Sequence, residues 1–281
     1  MLTRFTTLAI GDSPVYAART IYTMLAVLAQ APADRAIECT IVTDHPERFR
    51  WVADTIRILP VDQATVTAWK GPHSYFFRCE IEVLRLLATL GPAHLAYLDS
   101  DIIVRQDLTP FLAGLDRGEV FMHTFERDIR RLKRHGDKKL WQQIRGKSAA
   151  GIAVDANGTM WNAGVMAVPW DQRSLIDQVM AFNDGMMAQG ATHWLIEQYS
   201  YSRIFHGTGR LHAAEPWMDH WWANKPGYDP AIAEFLLEAR MQEWPAPRIS
   251  AEIRQRPIRL PLMVRKRWYH RLLRAEPRYR P

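Results

Sequence analysis

The chain has 281 residues, 48% of them hydrophobic and 23% charged, which suits one large domain with a substantial core and offers no run near the ~20 apolar residues of a membrane-spanning helix. Its net charge of +6 is unevenly spread: of 36 Lys and Arg and 30 acidic residues, positions 248–281 hold 11 and 2, leaving 25 against 28 for residues 1–247. The basicity therefore belongs to the tail, and no recognised nucleic-acid-binding motif accompanies it.

The first elements alternate. Phe5–Ile10 reads as a strand rather than a secretory signal, and a turn at Gly11-Asp12-Ser13-Pro14 leads into a helix over Tyr16–Gln30, with Ile21, Met24, Leu25 and Leu28 at helical spacing. Ile37–Thr43 and Thr55–Val61 are further strands, the former ending at Asp44. A helix over Ser74–Leu90, striped by Phe77, Ile81, Leu84 and Leu87, then runs into the apolar stretch that begins at Leu95. Strand and helix in alternation predict an α/β fold with a mainly parallel sheet flanked by helices. Only Cys39 and Cys79 occur, neither at a metal-ligand spacing, so a cytoplasmic protein without disulfides is expected.

Leu95–Val104 places Asp99 and Asp101 between two apolar runs. At i and i+2 in an extended chain, both carboxylates leave the same side of the backbone. They repel unless a cation lies between them, and a hard divalent ion with oxygen ligands also takes phosphate oxygens. The competing reading is a solvated Asp-Ser-Asp turn. The apolar flanks favour a buried strand end, where open α/β sheets bind ligands.

Downstream, Asp107–Phe111 reads as a helix start with Thr109 as N-cap, and Glu119–Thr124 as a strand. Residues 125–150 read as a charged, exposed helical segment, either a solvated face or a lid. In Trp161–Pro169, the small or polar Asn162, Ala163 and Gly164 precede an apolar strand, either as a plain turn or as a place where a ligand approaches the backbone. Asp171 is placed as the cap of a helix to Met187. A helix over His193–Phe205 carries Glu197 and Gln198 mid-element, where polar groups are paired or functional. Trp217–Lys225 contains His220 and Lys225, a potential metal ligand and phosphate contact or a core histidine with a surface lysine. The tryptophans at 194, 217, 221 and 222 suit core packing or sugar stacking. From Pro245 the character changes, so domains are drawn at 1–245 and 246–281. Leu262–Arg274 spaces Val264, Trp268 and Leu272 as a basic amphipathic helix, for an anionic membrane surface or for docking on the body.

Taken together, Tyr97–Val104, Asp107–Phe111, Trp161–Met166, Glu197-Gln198 and His220 with Lys225 resemble the GT-A-fold glycosyltransferases, family 8 above all (the glycogenin and bacterial lipopolysaccharide galactosyl- and glucosyltransferase group), over roughly residues 5–226. The resemblance implies a Rossmann-like GT-A domain that moves a hexose from a nucleotide diphosphate sugar, a UDP-hexose, to a glycan, lipid-linked or lipopolysaccharide-type acceptor with retention. It implies Mn²⁺ or Mg²⁺ held by Asp99, Asp101 and His220, with Lys225 on phosphate and Ser100 beside the donor. Asn162, Ala163, Gly164, Glu197 and Gln198 would meet the donor sugar, Glu197 and Gln198 being the catalytic candidates. Gly11, Asp12, Ser13, Tyr16 and Asp44 would hold base and ribose, and Arg78 would reach the donor. A bacterial enzyme at the inner membrane face is the matching expectation. The chain departs from the family in three places. His220 and Lys225 are five apart where His-x-x-Gly-x-x-Lys is usual, Glu197 stands for Asp, and Asp12 with Tyr16 only approximates the N-terminal pattern. The alternatives are a nucleotidyl- or phosphotransferase on the same metal-diphosphate site, and a nucleic-acid-binding protein acting through the tail.

Overall fold

The computed structural model describes residues 1–129, 135–154, 158–222, 224–258, 262–263 and 279–280. β1 (Thr3–Ala9), α1 (Pro14–Gln30), β2 (Ile37–Thr43), β3 (Arg57–Pro60), α3 (Arg78–Ala88) and β4 (His94–Leu98) follow the alternation read from the sequence, and α2 (Gln63–Trp69), which that reading does not contain, lies between β3 and α3. Next come β5 (Ile102–Val104), α4 (Thr109–Asp116), β6 (Val120–Met122), β7 (Phe125–Asp128), α5 (His135–Ile144), β8 (Ser148–Ala149), β9 (Ile152–Ala153), β10 (Thr159–Trp161) and β11 (Val165–Val168). The chain continues with α6 (Ser174–Ala188), α7 (Ile196–Gly207), β12 (Leu211–Ala213), β13 (Met218–His220), α8 (Lys225–Met241) and α9 (Ala246–Gln255).

The main sheet has the order β12-β6-β11-β4-β1-β2-β3, with β11 antiparallel to both its neighbours and every other pair parallel. This is the mainly parallel, helix-flanked α/β architecture that the sequence predicts. Period-two alternation builds two cores. In β4, Ala96 and Leu98 pack on the face covered by α1, α4, α8 and α9, while Leu95 and Tyr97 pack on the face covered by α3, α6 and α7. Each fully buried Leu, Ile or Phe stabilises the fold by about 1.5–3 kcal/mol, and β4 is buried at all five positions. The chain passes from β3 at one edge to β4 on the far side of β1, so the strand order reverses between β1 and β4. A crevice opens outside the carboxyl ends of strands at such a point.

Several local readings change, and the helix expected to be capped by Asp171 begins at Ser174 with Arg173 before it. The helix assigned from Ser74 begins at Arg78, because the preceding segment is a tight turn with Ser74 at φ 50°. The segment assigned to helix from residue 125 opens instead as β7, which pairs antiparallel with β10. Glu197 and Gln198 lie in the first turn of α7 rather than mid-helix. Leu108, not Thr109, is the residue before α4, and the Asp107 carboxylate accepts from the Thr109 N–H.

The division at 245/246 falls at the start of α9, and α9 packs onto the body: Ile249 and Ile253 join the core with α1, and Arg254 donates to the Ala29 carbonyl at the end of α1. In the tail expected to form an amphipathic helix, Leu262–Met263 instead pairs antiparallel with Tyr279–Arg280. Val264, Trp268 and Leu272 lie outside the described residues. No described helix is long and apolar enough to cross a membrane.

Candidate functional site

β4 ends at Leu98, so Asp99 sits at the carboxyl end of a central strand, and Ser100 and Asp101 form the turn into β5. Two contacts fix this turn. The Asp99 N–H donates to the Gly164 carbonyl (2.9 Å), and the Thr23 hydroxyl of α1 lies 3.0 Å from the Ser100 carbonyl and 2.8 Å from that of Ile102. β5 pairs antiparallel with β13, and the register sets His220 opposite Ile102. This pairing, between segments more than a hundred residues apart, brings the imidazole to the acidic turn.

His220 Nε2 lies 3.1 Å from Asp101 Oδ1 and 3.5 Å from Asp99 Oδ2, while the Lys225 ammonium lies 3.0 Å from Asp101 Oδ2. One ligand atom each from Asp99, Asp101 and His220 falls within 4.8 Å of the others. On the far side of the ring, Nδ1 lies 2.7 Å from Asn162 Oδ1, which also accepts from the Gly164 N–H (2.9 Å). An amide oxygen only accepts, so Nδ1 carries the proton and Nε2 is the nitrogen turned to the carboxylates.

The protonation states follow from these contacts. Burial pushes the Asp99 carboxyl up, His220 pulls it down, Asp101 pushes it further up, and the net shift is upward. Burial also acts to raise Asp101, but its hydrogen bond from His220 and the charges of His220 and Lys225 hold it below the usual carboxylate range. Burial disfavours the His220 imidazolium, and Asp101 and Asp99 outweigh it, so His220 is raised. Two carboxylates and an imidazole, oriented from behind by an amide, fit a hard or borderline divalent cation such as Mn²⁺ or Mg²⁺.

The cluster opens into a cavity of about 680 Å³. Of the residues expected at the site, Tyr16, Asp99, Ser100, Asp101, Asn162, Ala163, Gly164, Glu197, Gln198, His220 and Lys225 line it. Gly11, Asp12, Ser13 and Asp44 are not in its lining. The Gly11 N–H donates to the Asp44 carboxylate (2.9 Å), and Ser13 caps α1 by accepting from the Tyr16 N–H. Arg78 is turned away from the cavity. Its guanidinium is engaged by Asp184 (2.9 and 3.0 Å), Glu82 (2.8 Å) and the Trp69 carbonyl (2.7 Å), so the structure does not bring it to the donor position expected from the sequence. The five-residue spacing of His220 and Lys225 is accommodated because the Trp221 N–H donates to the Asp101 carbonyl and Lys225 opens α8.

The sequence reading missed several lining residues. Gln198 Nε2 and Asn162 Nδ2 both donate to Glu126 (3.2 Å each), and Arg127 joins Glu126 to Asp137 (2.5 Å each). Glu126 and Arg127 were hidden in the segment read as a charged helix. Glu80 also lines the cavity, from α3. Its signal was present, since Glu80, Leu84 and Leu87 share one helical stripe and a carboxylate on an apolar stripe is an anomaly. Burial, then the charges of Asp99 and Glu197, push Glu80 well above the usual range, and burial with Asp99 does the same to Glu197. Of the tryptophans, Trp221 is buried, whereas Trp194 and Trp222 are 60% and 53% exposed at the cavity. The Tyr75 hydroxyl clasps the Trp194 loop, donating to the Trp194 carbonyl (2.8 Å) and accepting from the Glu197 N–H (3.0 Å).

No family model matches the chain, and no curated protein matches it in sequence. Solved structures similar to it include three glycosyltransferases. Mouse xyloside xylosyltransferase 1 in its apo form is 14% identical, with 76% of this chain and 85% of that one covered and a TM-score of 0.47. The apo bifunctional glycosyltransferase WbbM is 10% identical over 75% of this chain and 38% of its own, at a TM-score of 0.48. The galactosyltransferase LgtC in complex with donor and acceptor sugar analogs is 16% identical over 75% of this chain and 73% of its own, at 0.47.

Proposed function

We propose that this chain is a glycosyltransferase that moves a hexose from a nucleoside-diphosphate sugar, with UDP as the nucleotide, to the hydroxyl of a glycan or lipid-linked acceptor with retention. The observation that supports it most is the β5–β13 register, which sets His220 on the Asp99–Asp101 turn, with Lys225 and the Asn162–Gly164 segment around it, inside one cavity.

Breaking the bond between an anomeric carbon and a diphosphate leaves negative charge on the departing phosphate. A divalent cation held by Asp99, Asp101 and His220 supplies electrostatic stabilisation of that charge. Lys225 adds a second positive group at the N-terminus of α8, where the helix dipole also favours an anion. Asn162 keeps His220 in the tautomer that presents Nε2. Gln198 is anchored through its amide nitrogen on Glu126, which leaves its weakly nucleophilic oxygen for the sugar. Tyr16 stands at the mouth, 41% exposed, with the Arg19 guanidinium 5.5 Å from its ring centroid, a setting suited to a stacked base.

The test is a panel of nucleotide sugars with Mn²⁺, scored by nucleoside diphosphate release. Mn²⁺-dependent release is expected from one donor, and the anomer of the product, read by NMR, checks retention. Release of sugar 1-phosphate in place of nucleoside diphosphate would instead identify nucleotidyl transfer at the same site.

A further inference from the structure

The cavity is divided by charge. Its cations gather on one side, where His220 and Lys225 face Asp101, or are already engaged, as Arg127 is by Glu126 and Asp137. Glu80 and Glu197 have no such company. Both line the cavity, at 7% and 3% exposure. Among the described residues, no side chain pairs with the Glu80 carboxyl, and Glu197 Oε1 has no hydrogen-bond partner. Buried carboxyls without partners are costly, and they persist where a ligand supplies what the protein does not. The diphosphate belongs on the cationic side, so the groups that reach Glu80 and Glu197 are those of the sugar.

We propose that Glu80, together with Glu197, is a specificity-determining residue that reads hydroxyl groups of the transferred sugar and restricts the donor to sugars without a carboxylate. The inference rests on a nucleotide sugar occupying the cavity. Hydroxyls donate to a carboxylate and accept from a carboxylic acid, so a polyhydroxylated ring satisfies these groups in either form. A uronate would instead bring a buried negative charge beside the carboxyls of Glu80, Glu197 and Asp99, and among the described residues no unengaged cation lines the cavity to meet it.

The experiment is titration calorimetry with Mn²⁺, using UDP, UDP-glucose and UDP-glucuronate, and GDP, GDP-mannose and GDP-mannuronate. The wild-type protein is expected to bind the hexose donor at least about tenfold more tightly than the matching uronate. Glu80→Gln, nearly isosteric, should keep hexose affinity within a few-fold and narrow the gap to the uronate about tenfold by taking away a group that can ionise beside it. Glu80→Leu should weaken hexose-donor binding about tenfold while leaving the affinity for UDP or GDP alone unchanged. Equal wild-type affinity for hexose and uronate, or an unchanged ratio in Glu80→Gln, overturns this inference alone. Failure of the wild-type protein to bind any of these nucleotides overturns the proposed function and the inference with it. Thermal melts of both variants identify a loss of affinity that comes from misfolding, and rescue by Gln where Leu fails separates recognition from packing.

Discussion

Gly164 and His220 approach so closely that no side chain fits between them: a Cβ on Gly164 would lie 2.3 Å from His220 Nδ1 and 3.0 Å from Asn162 Oδ1. The glycine is a steric condition for the imidazole's position. Gly164→Ala is expected to push His220 off Asn162 and weaken Mn²⁺ binding about 10–100-fold, the range for losing an orienting partner. Mn²⁺ titration followed by electron paramagnetic resonance measures it, and unchanged affinity would show that the ring tolerates displacement.

Asp101 is the carboxylate shared by His220 and Lys225. Asp101→Asn is expected to reduce Mn²⁺-dependent release of nucleoside diphosphate at least about a hundredfold. A cation bound only by the folded protein at 100 times its Kd adds about 2.7 kcal/mol, or about 5 °C in Tm. The wild-type protein should show that rise with Mn²⁺ and lose it on chelation, and Asp101→Asn should show none.

Glu80 gives the fold a pH signature. Its folded-state carboxyl is raised above the unfolded value of 4.5 by burial and by Asp99 and Glu197. Above pH 4.5 the unfolded chain therefore releases a proton that the folded chain keeps, and stability falls as pH rises toward the folded-state value. Glu80→Gln removes this contribution, so its metal-free Tm should exceed wild type by more at pH 8 than at pH 5. A difference that does not change with pH would mean that the group ionises alike in both states.

Tyr75 ties two loops of the cavity rim with one hydroxyl. Tyr75→Phe leaves the buried Glu197 N–H without its acceptor and should cost about 1–3 kcal/mol in denaturant unfolding. Because that N–H belongs to the first turn of α7, the KM for donor should rise more than kcat falls. A variant with wild-type stability and KM would show that the clasp is redundant.

The alternation of strands and helices was legible because each strand is short and either evenly apolar or period-two, and the acidic turn stood out between two such runs. What escaped depended on partners distant in sequence. Residues 125–128 look like exposed charged chain until β10 pairs with them, so Glu126 and Arg127 were read as surface. Arg78 pairs with Asp184, 106 positions away on α6, and no local pattern reveals that its guanidinium is already engaged. The spacing of His220 and Lys225 looked irregular as a string, yet both reach Asp101, because a strand end and a helix start bring them there. Glu80 is legible as a charge on an apolar stripe, but Phe77, Ile81, Leu84 and Leu87 alone satisfy the helical pattern, so the period does not single it out.

The latch between Arg254 and the end of α1 decides where this protein can safely be cut. Helix α1 is held at its last turn by α9 and, through Thr23, holds the backbone on either side of Asp101. Removing α9 would take away Ile249 and Ile253, uncover the apolar surface of α1 that they cover, and loosen the brace behind the acidic turn at the same time. A truncation meant to ask whether the basic tail anchors the protein to a membrane should therefore end after Ile258. A shorter protein would lose the support of its acidic turn along with its tail, and a failure to bind lipid would say nothing about anchoring.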